Sequence, residues 1–339
     1  MLTHQTNKMI GVVDVVACLG DRVISNSELE KNIELGENYI FRRTGINNRY
    51  YKAKEKSFLD LAIASVNKLL SRANVSPSEI SALVCASTTF DVNSPSLACQ
   101  ILNHIDPNMT NNDCFALDIN AACSGYVYAL SVAKNQLLSI DNKKRFAVVV
   151  TNEVFSDYLG NSASSDILFG DASSATLLEV SNSIEDSWKA LLQKFHLGSV
   201  RDKKNSIRIF AEDGIGKMTM DGFFVFENAV KTIIYSTEKL LKLSDTVLED
   251  IDIFIPHQAN IKIIETISRK MGIEKNKLCI TLDKYGNTGA SSIPLCLAEL
   301  LRESKQESKN SKIKGILTSF GSGFTFGSVL IEIMVPISE

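Results

Sequence analysis

Short apolar segments alternate with longer amphipathic segments along nearly the whole chain, and this alternation restricts the folds open to it. Segments such as Phe146–Val150 are rich in Val, Ile, Leu and Phe and have the length of a strand. Others, such as Ser57–Arg72, carry apolar residues at the spacing of one helix face. Several strand segments are apolar on both faces, as in sheets that helices cover on each side. The sequence therefore predicts an α/β fold.

The predicted elements follow this alternation from end to end. Strands are expected at Met9–Cys18, Ser81–Ala86, Cys114–Ile119, Arg145–Thr151, Ser174–Val180, Ile251–Ile255, Lys314–Ser319 and Gly327–Val335. Helices are expected at Ser27–Glu34, Ser57–Arg72, Gly125–Leu138, Val225–Leu241, Ile261–Met271 and Ser292–Leu301.

Two polar segments interrupt the pattern. Ser181–Ser206 is mixed in charge and separates two halves that show the same alternation. We therefore predict an N-terminal half at 1–180, a connecting segment at 181–206 and a C-terminal half at 207–339. Arg302–Lys314 is rich in Lys, Ser and Glu and predicts an exposed turn before the last pair of strands.

Composition argues against several classes of function. The chain has 36 Lys and Arg against 39 Asp and Glu, and its net charge of −3 gives no electrostatic reason to expect nucleic acid. Met1–Asp14 lacks the basic start and apolar stretch of a secretory signal, and no apolar run is long enough to cross a bilayer. The seven cysteines form no C-x-x-C pair, and the four histidines are too isolated for a metal site. We expect reduced thiols, a cytoplasmic protein, and no membrane or metal.

The segment Asp118–Gly125 (DINAACSG) is the first candidate for chemistry. An apolar strand ends, small residues follow, and a helix begins near Cys123. A thiol at a helix N-terminus meets the positive end of the helix dipole, which favours the nucleophilic thiolate. The alternative is a buried cysteine that only packs, and this is what we expect of the other six.

Three further segments in the second half carry polar groups at turns. His257 directly follows the strand Ile251–Ile255, where α/β sheets collect ligand-binding groups. Asn287 lies between Gly286 and Gly289, a pattern that ordinary turns also show. The glycine-rich Ser319–Gly327 is either a plain hairpin or a turn whose backbone N–H stabilises an oxyanion. Phosphate-binding, dinucleotide-binding and G-x-S-x-G motifs are absent from the places where they would be diagnostic.

Taken in order, these segments resemble the β-ketoacyl-acyl-carrier-protein synthase III family, thiolase-fold enzymes that prime fatty-acid and some polyketide synthesis. The resemblance runs nearly end to end. Besides the four segments above, it includes Ile24–Glu30 (ISNSELE), Arg43–Ile46 (RTGI), Ala98–Gln100 (ACQ) and Phe169–Asp171 (FGD). It implies a five-layer αβαβα sandwich made of two pseudo-duplicated halves, and a homodimer in which the region from Thr88 to Gln100 lies near the partner.

The resemblance also implies a mechanism that needs no cofactor. Cys123, His257 and Asn287 would form the catalytic triad, with an oxyanion hole made by the backbone N–H groups of Cys123 and Ser322. Acyl-CoA would acylate Cys123. A malonyl thioester, on acyl carrier protein or CoA, would then lose CO₂ and condense with the acyl group while His257 and Asn287 hold its enolate oxygen.

Binding residues carry over position by position. Arg43, Tyr39, Asn260 and Phe226 match positions that contact CoA or line its tunnel, and Ser94 matches a position that closes the acyl pocket. Lys262, Arg269 and Lys270 match basic positions that dock the acidic carrier protein, although a solvated helix face would look the same.

The chain also departs from the family pattern. Ala163 replaces an arginine that often sandwiches the adenine of CoA, and Glu227 stands where the family has a docking lysine. Ser94 replaces a bulky phenylalanine, and Ser322 replaces a frequent glycine. These departures favour a specialised, secondary-metabolism member that accepts donors longer than acetyl.

Other functions remain open at this point. A relative of the same fold could join an acyl thioester to a β-ketoacyl thioester and close a cyclohexanedione or resorcinol ring. A non-catalytic subunit of a ketosynthase heterodimer, a thioester hydrolase and an O- or N-acyltransferase are the remaining alternatives.

Overall fold

The computed structural model describes residues 8–90, 92, 94–108, 113–139, 144–160, 162–212, 215–303 and 312–334. Strands and helices alternate along the chain as expected. The strands are β1 (Met9–Leu19), β2 (Arg22–Ser25), β3 (Asn48–Tyr51), β4 (Ile80–Ala86), β5 (Phe115–Ile119), β6 (Phe146–Glu153), β7 (Ala172–Ser181), β8 (Ala190–Ser199), β9 (Ile207–Glu212), β10 (Ile215–Met220), β11 (Ile253–Pro256), β12 (Lys312–Phe320) and β13 (Thr325–Met334). The helices are α1 (Asn26–Asn32), α2 (Tyr39–Thr44), α3 (Phe58–Ala73), α4 (Leu97–Ile105), α5 (Gly125–Ser139), α6 (Ala163–Asp166), α7 (Gly222–Leu243), α8 (Ile261–Met271), α9 (Leu282–Tyr285) and α10 (Ser292–Glu303).

Nine strands of the described residues form one mixed sheet in the order β11-β12-β13-β8-β1-β7-β6-β4-β5. Only two residue pairs, Gly11 with Leu191 and Val12 with Ala190, join β1 to β8. The sheet therefore consists of two halves that meet along a short seam. Parallel pairs occur in both halves, β4 with β5 and β6 in one and β11 with β12 in the other.

Helices α5 and α10 fill the space between the two half-sheets. Buried Tyr126 and Leu130 of α5 and Leu297 of α10 share one hydrophobic core with Val84 of the first half and Leu317 of the second. A helix that is apolar around most of its circumference is stable only when it is covered on all sides. The expected layers of a five-layer αβαβα sandwich are therefore confirmed, with α3 and α4 outside one half-sheet and α7 and α8 outside the other.

The element predictions hold to within three residues at either end, and Val335, the predicted end of the last strand, lies outside the described residues. The polar segment 181–206 is not merely a connection, because it contains β8, which pairs with β13 and β1. Its inward residues Ala190 and Leu192 are buried, but Gln193 and Lys194 between them and the next apolar residue made the segment look like a loop. The hairpin of β9 and β10 was not predicted either. Most of the predicted turn Arg302–Lys314 falls outside the described residues, and β12 begins at Lys312.

None of the helices in the described ranges combines the length and apolarity that a bilayer span requires.

Candidate active site

One largely apolar cavity of about 120 Å³ collects the three side chains that the sequence predicts to be catalytic. Cys123 reaches it from the turn before α5, His257 from the end of β11, and Asn287 from the turn before α10. These segments lie 134 and 30 residues apart in the chain by their numbers, and the fold joins them where the two half-sheets meet.

Cys123 lies in a single turn of 3₁₀ helix, Ala122–Ser124, that leads directly into α5. The preceding Ala122 has a φ of +49°, in the left-handed region that residues with a Cβ seldom adopt. The glycine-rich turn packs against this point. A Cβ on Gly321 would come within 2.7 Å of the Cys123 backbone nitrogen, so only glycine fits there.

Hydrogen bonds hold the two turns together. Ser124 Oγ donates to the Thr325 carbonyl at 3.1 Å, and Thr325 Oγ1 donates to the Ala121 carbonyl at 2.7 Å. Ser322, which lines the cavity, uses its hydroxyl to donate to the Ile207 carbonyl at 2.6 Å. The Ser319–Gly327 segment is thus a hairpin connection that also packs against one side of the turn that carries Cys123.

Two effects disfavour ionisation of the half-buried Cys123 thiol. Desolvation raises the pKa of its thiol to about 12, and the nearby charge of Glu153 acts in the same direction. Both effects oppose the thiolate that the helix N-terminus is expected to favour. A reaction at Cys123 has to remove the thiol proton as the new bond forms.

His257 is a buried, neutral imidazole. Burial lowers its pKa to about 4. Its backbone N–H donates to the Thr318 carbonyl, and Nδ1 lies 2.7 Å from Ser292 Oγ. The same Ser292 oxygen accepts the backbone N–H of Gln258 at 3.2 Å. These contacts fix the ring and leave Nε2 as the nitrogen directed to the cavity that the residue lines.

Asn287 is held with a defined amide orientation. Its Oδ1 accepts the backbone N–H of Gly289 at 2.9 Å, so the Nδ2 hydrogens are the donors available to the cavity. Its backbone N–H donates to the Leu168 carbonyl, and its own carbonyl accepts from Gly170. Gly286 has a φ of +69°, and a Cβ there would lie 2.9 Å from the Leu168 oxygen. Glycine is therefore required where this turn crosses the chain beside it.

The predicted binding residues fall into two groups. Phe226 and Asn260 line the cavity. Asn260 also caps α8, through Lys262 N, and donates from Nδ2 to the Arg43 carbonyl at 3.3 Å, which brings Arg43 to this end of the cavity. Tyr39, by contrast, is exposed on α2 and does not line the cavity.

Among the predicted site residues, the position of Ser94 differs most from its predicted role at the acyl pocket. It is exposed and lines no part of the cavity of its own chain. The basic residues Lys262, Arg269 and Lys270 are exposed on the outer face of α8, where Glu265 interrupts them. Glu227 is paired with Lys231 at 3.9 Å on α7.

Sequence reasoning missed several residues of the cavity. Apolar side chains of the β9–β10 hairpin form one wall: Ile207, Ile209, Met218 and Met220. Glu153, the buried last residue of β6, and Ser292, the partner of His257, were not singled out. A carboxylate at the end of an otherwise apolar strand was the available signal for Glu153. Among the described residues, no group of three or more His, Cys, Asp or Glu side chains could hold a metal ion.

Comparison with known proteins identifies the family. Residues 223–333 match the family described as 3-oxoacyl-[acyl-carrier-protein (ACP)] synthase III C terminal, and residues 117–199 match 3-oxoacyl-[acyl-carrier-protein (ACP)] synthase III. The chain is 35% identical over 349 residues to the β-ketoacyl-[acyl-carrier-protein] synthase III of Clostridium tetani, covering 96% of this chain and 99% of that one. It is 33% identical over 312 residues to the enzyme of the same name from Wolbachia pipientis wMel, covering 92% and 95%.

A solved structure agrees with these relatives. The 3-oxoacyl-[acyl-carrier-protein] synthase III of Aquifex aeolicus VF5 superposes with a TM-score of 0.84 at 29% identity, covering 95% of this chain and 99% of that one. The predicted thiolase fold and family are therefore confirmed. The chain belongs to the β-ketoacyl-[acyl-carrier-protein] synthase III family and is an acyltransferase of the condensing type.

Proposed function

We propose that the chain catalyses a decarboxylative Claisen condensation in which an acyl-CoA first acylates Cys123 and a malonyl thioester then extends the acyl group. The observation that carries this proposal is the meeting of a thiol, a neutral imidazole and an oriented amide donor in one apolar cavity. A covalent acyl carrier needs the thiol, and an enolate intermediate needs uncharged hydrogen-bond donors in a site that excludes water.

In the first half-reaction, Cys123 Sγ attacks the thioester carbonyl of the acyl-CoA. The new C–S bond forms as the thiol proton passes to His257 Nε2, and the proton then leaves with the CoA thiolate as CoA–SH. Backbone N–H groups of Cys123 and Ser322 stabilise the tetrahedral oxyanion. The close contact between Gly321 and the Cys123 backbone nitrogen supports this arrangement.

In the second half-reaction, the malonyl thioester loses CO₂ and its carbonyl oxygen takes the enolate charge. His257 Nε2–H and Asn287 Nδ2–H donate to that oxygen. The enolate carbon attacks the acyl group, the bond to Cys123 Sγ breaks, and the departing thiolate takes up one proton from solvent. The product is a β-ketoacyl thioester.

Ser292 suits both half-reactions because a hydroxyl can donate or accept. When its O–H donates to His257 Nδ1, Nε2 carries the proton that the enolate needs. When it accepts from Nδ1–H, Nε2 has the lone pair that receives the thiol proton. The 2.7 Å contact therefore lets one imidazole serve as base and then as donor.

Replacing Ser292 with alanine should slow turnover by about 10- to 100-fold, the usual effect of losing the group that orients a functional histidine. The reason is that His257 loses the partner that selects its tautomer. Steady-state kinetics of Ser292→Ala and Ser292→Thr would measure this, and threonine, which retains the hydroxyl, should restore part of the rate. Equal rates in the alanine variant and the wild type would contradict the role of Ser292.

The apolar wall of the cavity supports donors longer than acetyl. The β9–β10 hairpin, Phe155 and Ile233 offer contacts to methylene groups, and each buried methylene contributes roughly 0.8 kcal/mol. We expect kcat/KM to rise from acetyl-CoA through butyryl- to hexanoyl-CoA in a chain-length series. Activity with acetyl-CoA alone would refute this part of the proposal.

We also propose a homodimer in which the Ser94 region completes the acyl pocket of the partner. Ser94 is exposed, Val92 beside it is 45% exposed, and the edge strand β5 carries the exposed Leu117. Near the cavity mouth, Arg43 and Tyr39 would contact the nucleotide of CoA, while Lys262, Arg269 and Lys270 would face acyl carrier protein. The described cysteines are all free thiols, as the reducing cytoplasm favours.

Product analysis tests the proposed reaction against its alternatives. The protein is incubated with a panel of acyl-CoA donors and either malonyl-ACP or malonyl-CoA, and thioester products are identified by mass spectrometry. A linear β-ketoacyl thioester is the expected product. A cyclic dione formed with a β-ketoacyl thioester would favour the ring-forming alternative, and CoA release without a new carbon–carbon bond would favour a hydrolase or an O- or N-acyltransferase.

A further inference from the structure

Glu153 is a buried carboxylate that accepts hydrogen bonds from Thr88 of the cavity wall, and no Lys, Arg or His of the described residues forms an ion pair with it. It accepts four hydrogen bonds from neutral donors. Thr88 donates its backbone N–H and its hydroxyl at 3.0 Å each, the Thr89 hydroxyl donates at 3.1 Å, and the Ala290 backbone N–H donates at 3.4 Å. Burying a carboxylate that is stabilised by hydrogen bonds but by no ion pair costs free energy. This cost points to a functional role for Glu153.

The four donors belong to two separate walls of the site. Thr88 lines the cavity on the segment that follows β4. Ala290 belongs to the turn that begins at Asn287 and leads into α10. Glu153 is therefore the side chain that ties the Thr88 wall to the Asn287 wall. A Cβ on Gly289 would lie 3.2 Å from Glu153 Oε1, so the carboxylate packs tightly against this turn.

The charge of Glu153 also acts on the nucleophile. It raises the pKa of Cys123 in addition to the effect of burial. Burial raises the pKa of Glu153 itself to about 7, so its charge changes near neutral pH. Burial alone lowers the pKa of His257, and the Tyr158 hydroxyl donates to the Thr89 carbonyl at 3.0 Å.

We propose that Glu153 is a positioning residue whose four hydrogen bonds fix the Thr88 and Asn287 walls around Cys123, and whose negative charge disfavours ionisation of Cys123 further in the free enzyme. This inference rests on the proposed role of Cys123 as the acylated residue. A thiol that ionises only during attack on a thioester is protected from oxidation and alkylation between turnovers. Formation of the neutral acyl thioester then carries no repulsion from the carboxylate.

Three variants separate the effect of the Glu153 charge from the effect of its hydrogen bonds on the geometry of the site. Glu153→Gln keeps the length of the side chain and removes the charge. Glu153→Asp keeps the charge and is too short to reach all four donors. Asp171→Asn is the matched control, because Asp171 is another fully buried carboxylate that accepts hydrogen bonds, from Ser156 and Lys52, and does not act on the thiol of Cys123.

The first readout is alkylation of Cys123 by iodoacetamide between pH 6 and 10, followed by mass spectrometry of the peptide that contains it. Above pH 7, where Glu153 is ionised, we expect Glu153→Gln to react several-fold faster than the wild type, because removal of the charge increases the fraction of Cys123 present as thiolate. Glu153→Asp and Asp171→Asn should follow the wild-type profile. Identical profiles for Glu153→Gln and the wild type would overturn the role of the charge.

The second readout is turnover with acyl-CoA and malonyl-ACP. Glu153→Asp should lose at least about tenfold in kcat, because the walls that carry Thr88 and Asn287 shift relative to the reacting atoms. Wild-type kcat in this variant would overturn the positioning role. The alkylation result does not require condensation, so a failure of the proposed reaction would be distinguished from a failure of this inference.

Thermal unfolding supplies a third readout that also checks folding. The pKa of Glu153 is raised in the folded state, so its stabilising contribution is complete below its ordinary pKa and is lost as the pH rises through about 7. Between pH 5 and pH 8, the Tm of Glu153→Gln should therefore fall less than that of the wild type. An equal fall would show that the pKa of Glu153 is not raised in the folded protein and would overturn the inference that its charge changes near neutral pH.

Discussion

Replacement of Cys123 by alanine should lower the condensation rate on the order of 10⁶-fold, the loss that follows removal of a nucleophile from a catalytic triad. The thiol is the atom that carries the acyl group between the two half-reactions, and no other described cysteine lines the cavity. Turnover with hexanoyl-CoA and malonyl-ACP, measured as β-ketoacyl product, checks the prediction.

A second cysteine variant shows whether the effect is specific. Cys18 is a partly buried thiol on β1, and burial raises its pKa as it does for Cys123. Cys18→Ala should keep the wild-type rate to within about twofold, since the substitution removes a thiol of similar environment that does not reach the cavity. A Cys123→Ala enzyme that retains even a tenth of the wild-type rate would rule out covalent catalysis through this residue.

Substitution of Asn287 by aspartate should slow decarboxylation of the malonyl thioester by roughly 10²–10³-fold, the usual cost of losing one oxyanion donor. The two side chains have nearly the same shape, and either one accepts the Gly289 N–H through Oδ1. The second oxygen of aspartate, however, cannot donate to an enolate and adds a negative charge beside it. CO₂ release from labelled malonyl-ACP by the acylated enzyme measures the step.

Acylation of Cys123 should survive the same substitution. Asn287 acts in our mechanism only after CoA has left, so the acyl mass should still appear on Asn287→Asp at near the wild-type extent. Asn260→Asp is a useful comparison, because Asn260 lines the cavity near Arg43 and should act on the KM for thioesters more than on decarboxylation. Equal decarboxylation rates in Asn287→Asp and the wild type would exclude Asn287 as the enolate donor.

Much of this site was predictable because its reactive side chains lie where strands end and helices begin. Cys123 follows an apolar strand and precedes an apolar helix, and His257 follows Pro256 at the end of β11, so the periodicity of the sequence places both at junctions. Gly286 and Gly289 indicated a tight turn around Asn287. The joining of these distant turns in one cavity followed from the family resemblance rather than from any local pattern.

The features that the sequence did not predict depend on contacts between residues that are far apart in the chain. Gln193 and Lys194 made β8 look like a loop, although β13 and β1 supply its hydrogen bonds. The thiolate expected at Cys123 assumed a solvated helix end, whereas in the fold Cys123 is half-buried and both desolvation and the charge of Glu153 raise the pKa of its thiol. Glu153 itself lies beyond the predicted strand Arg145–Thr151, and only the structure brings Thr88 and Ala290 to its carboxylate.

Intact-mass spectrometry of the protein mixed with hexanoyl-CoA, in the absence of any malonyl thioester, tests the central claim most directly. We expect the gain of one hexanoyl group per chain, mapped by peptide analysis to Cys123, and its loss when malonyl-ACP is added. An unchanged mass, as a silent subunit would give, or an acyl group on any residue other than Cys123 would contradict it.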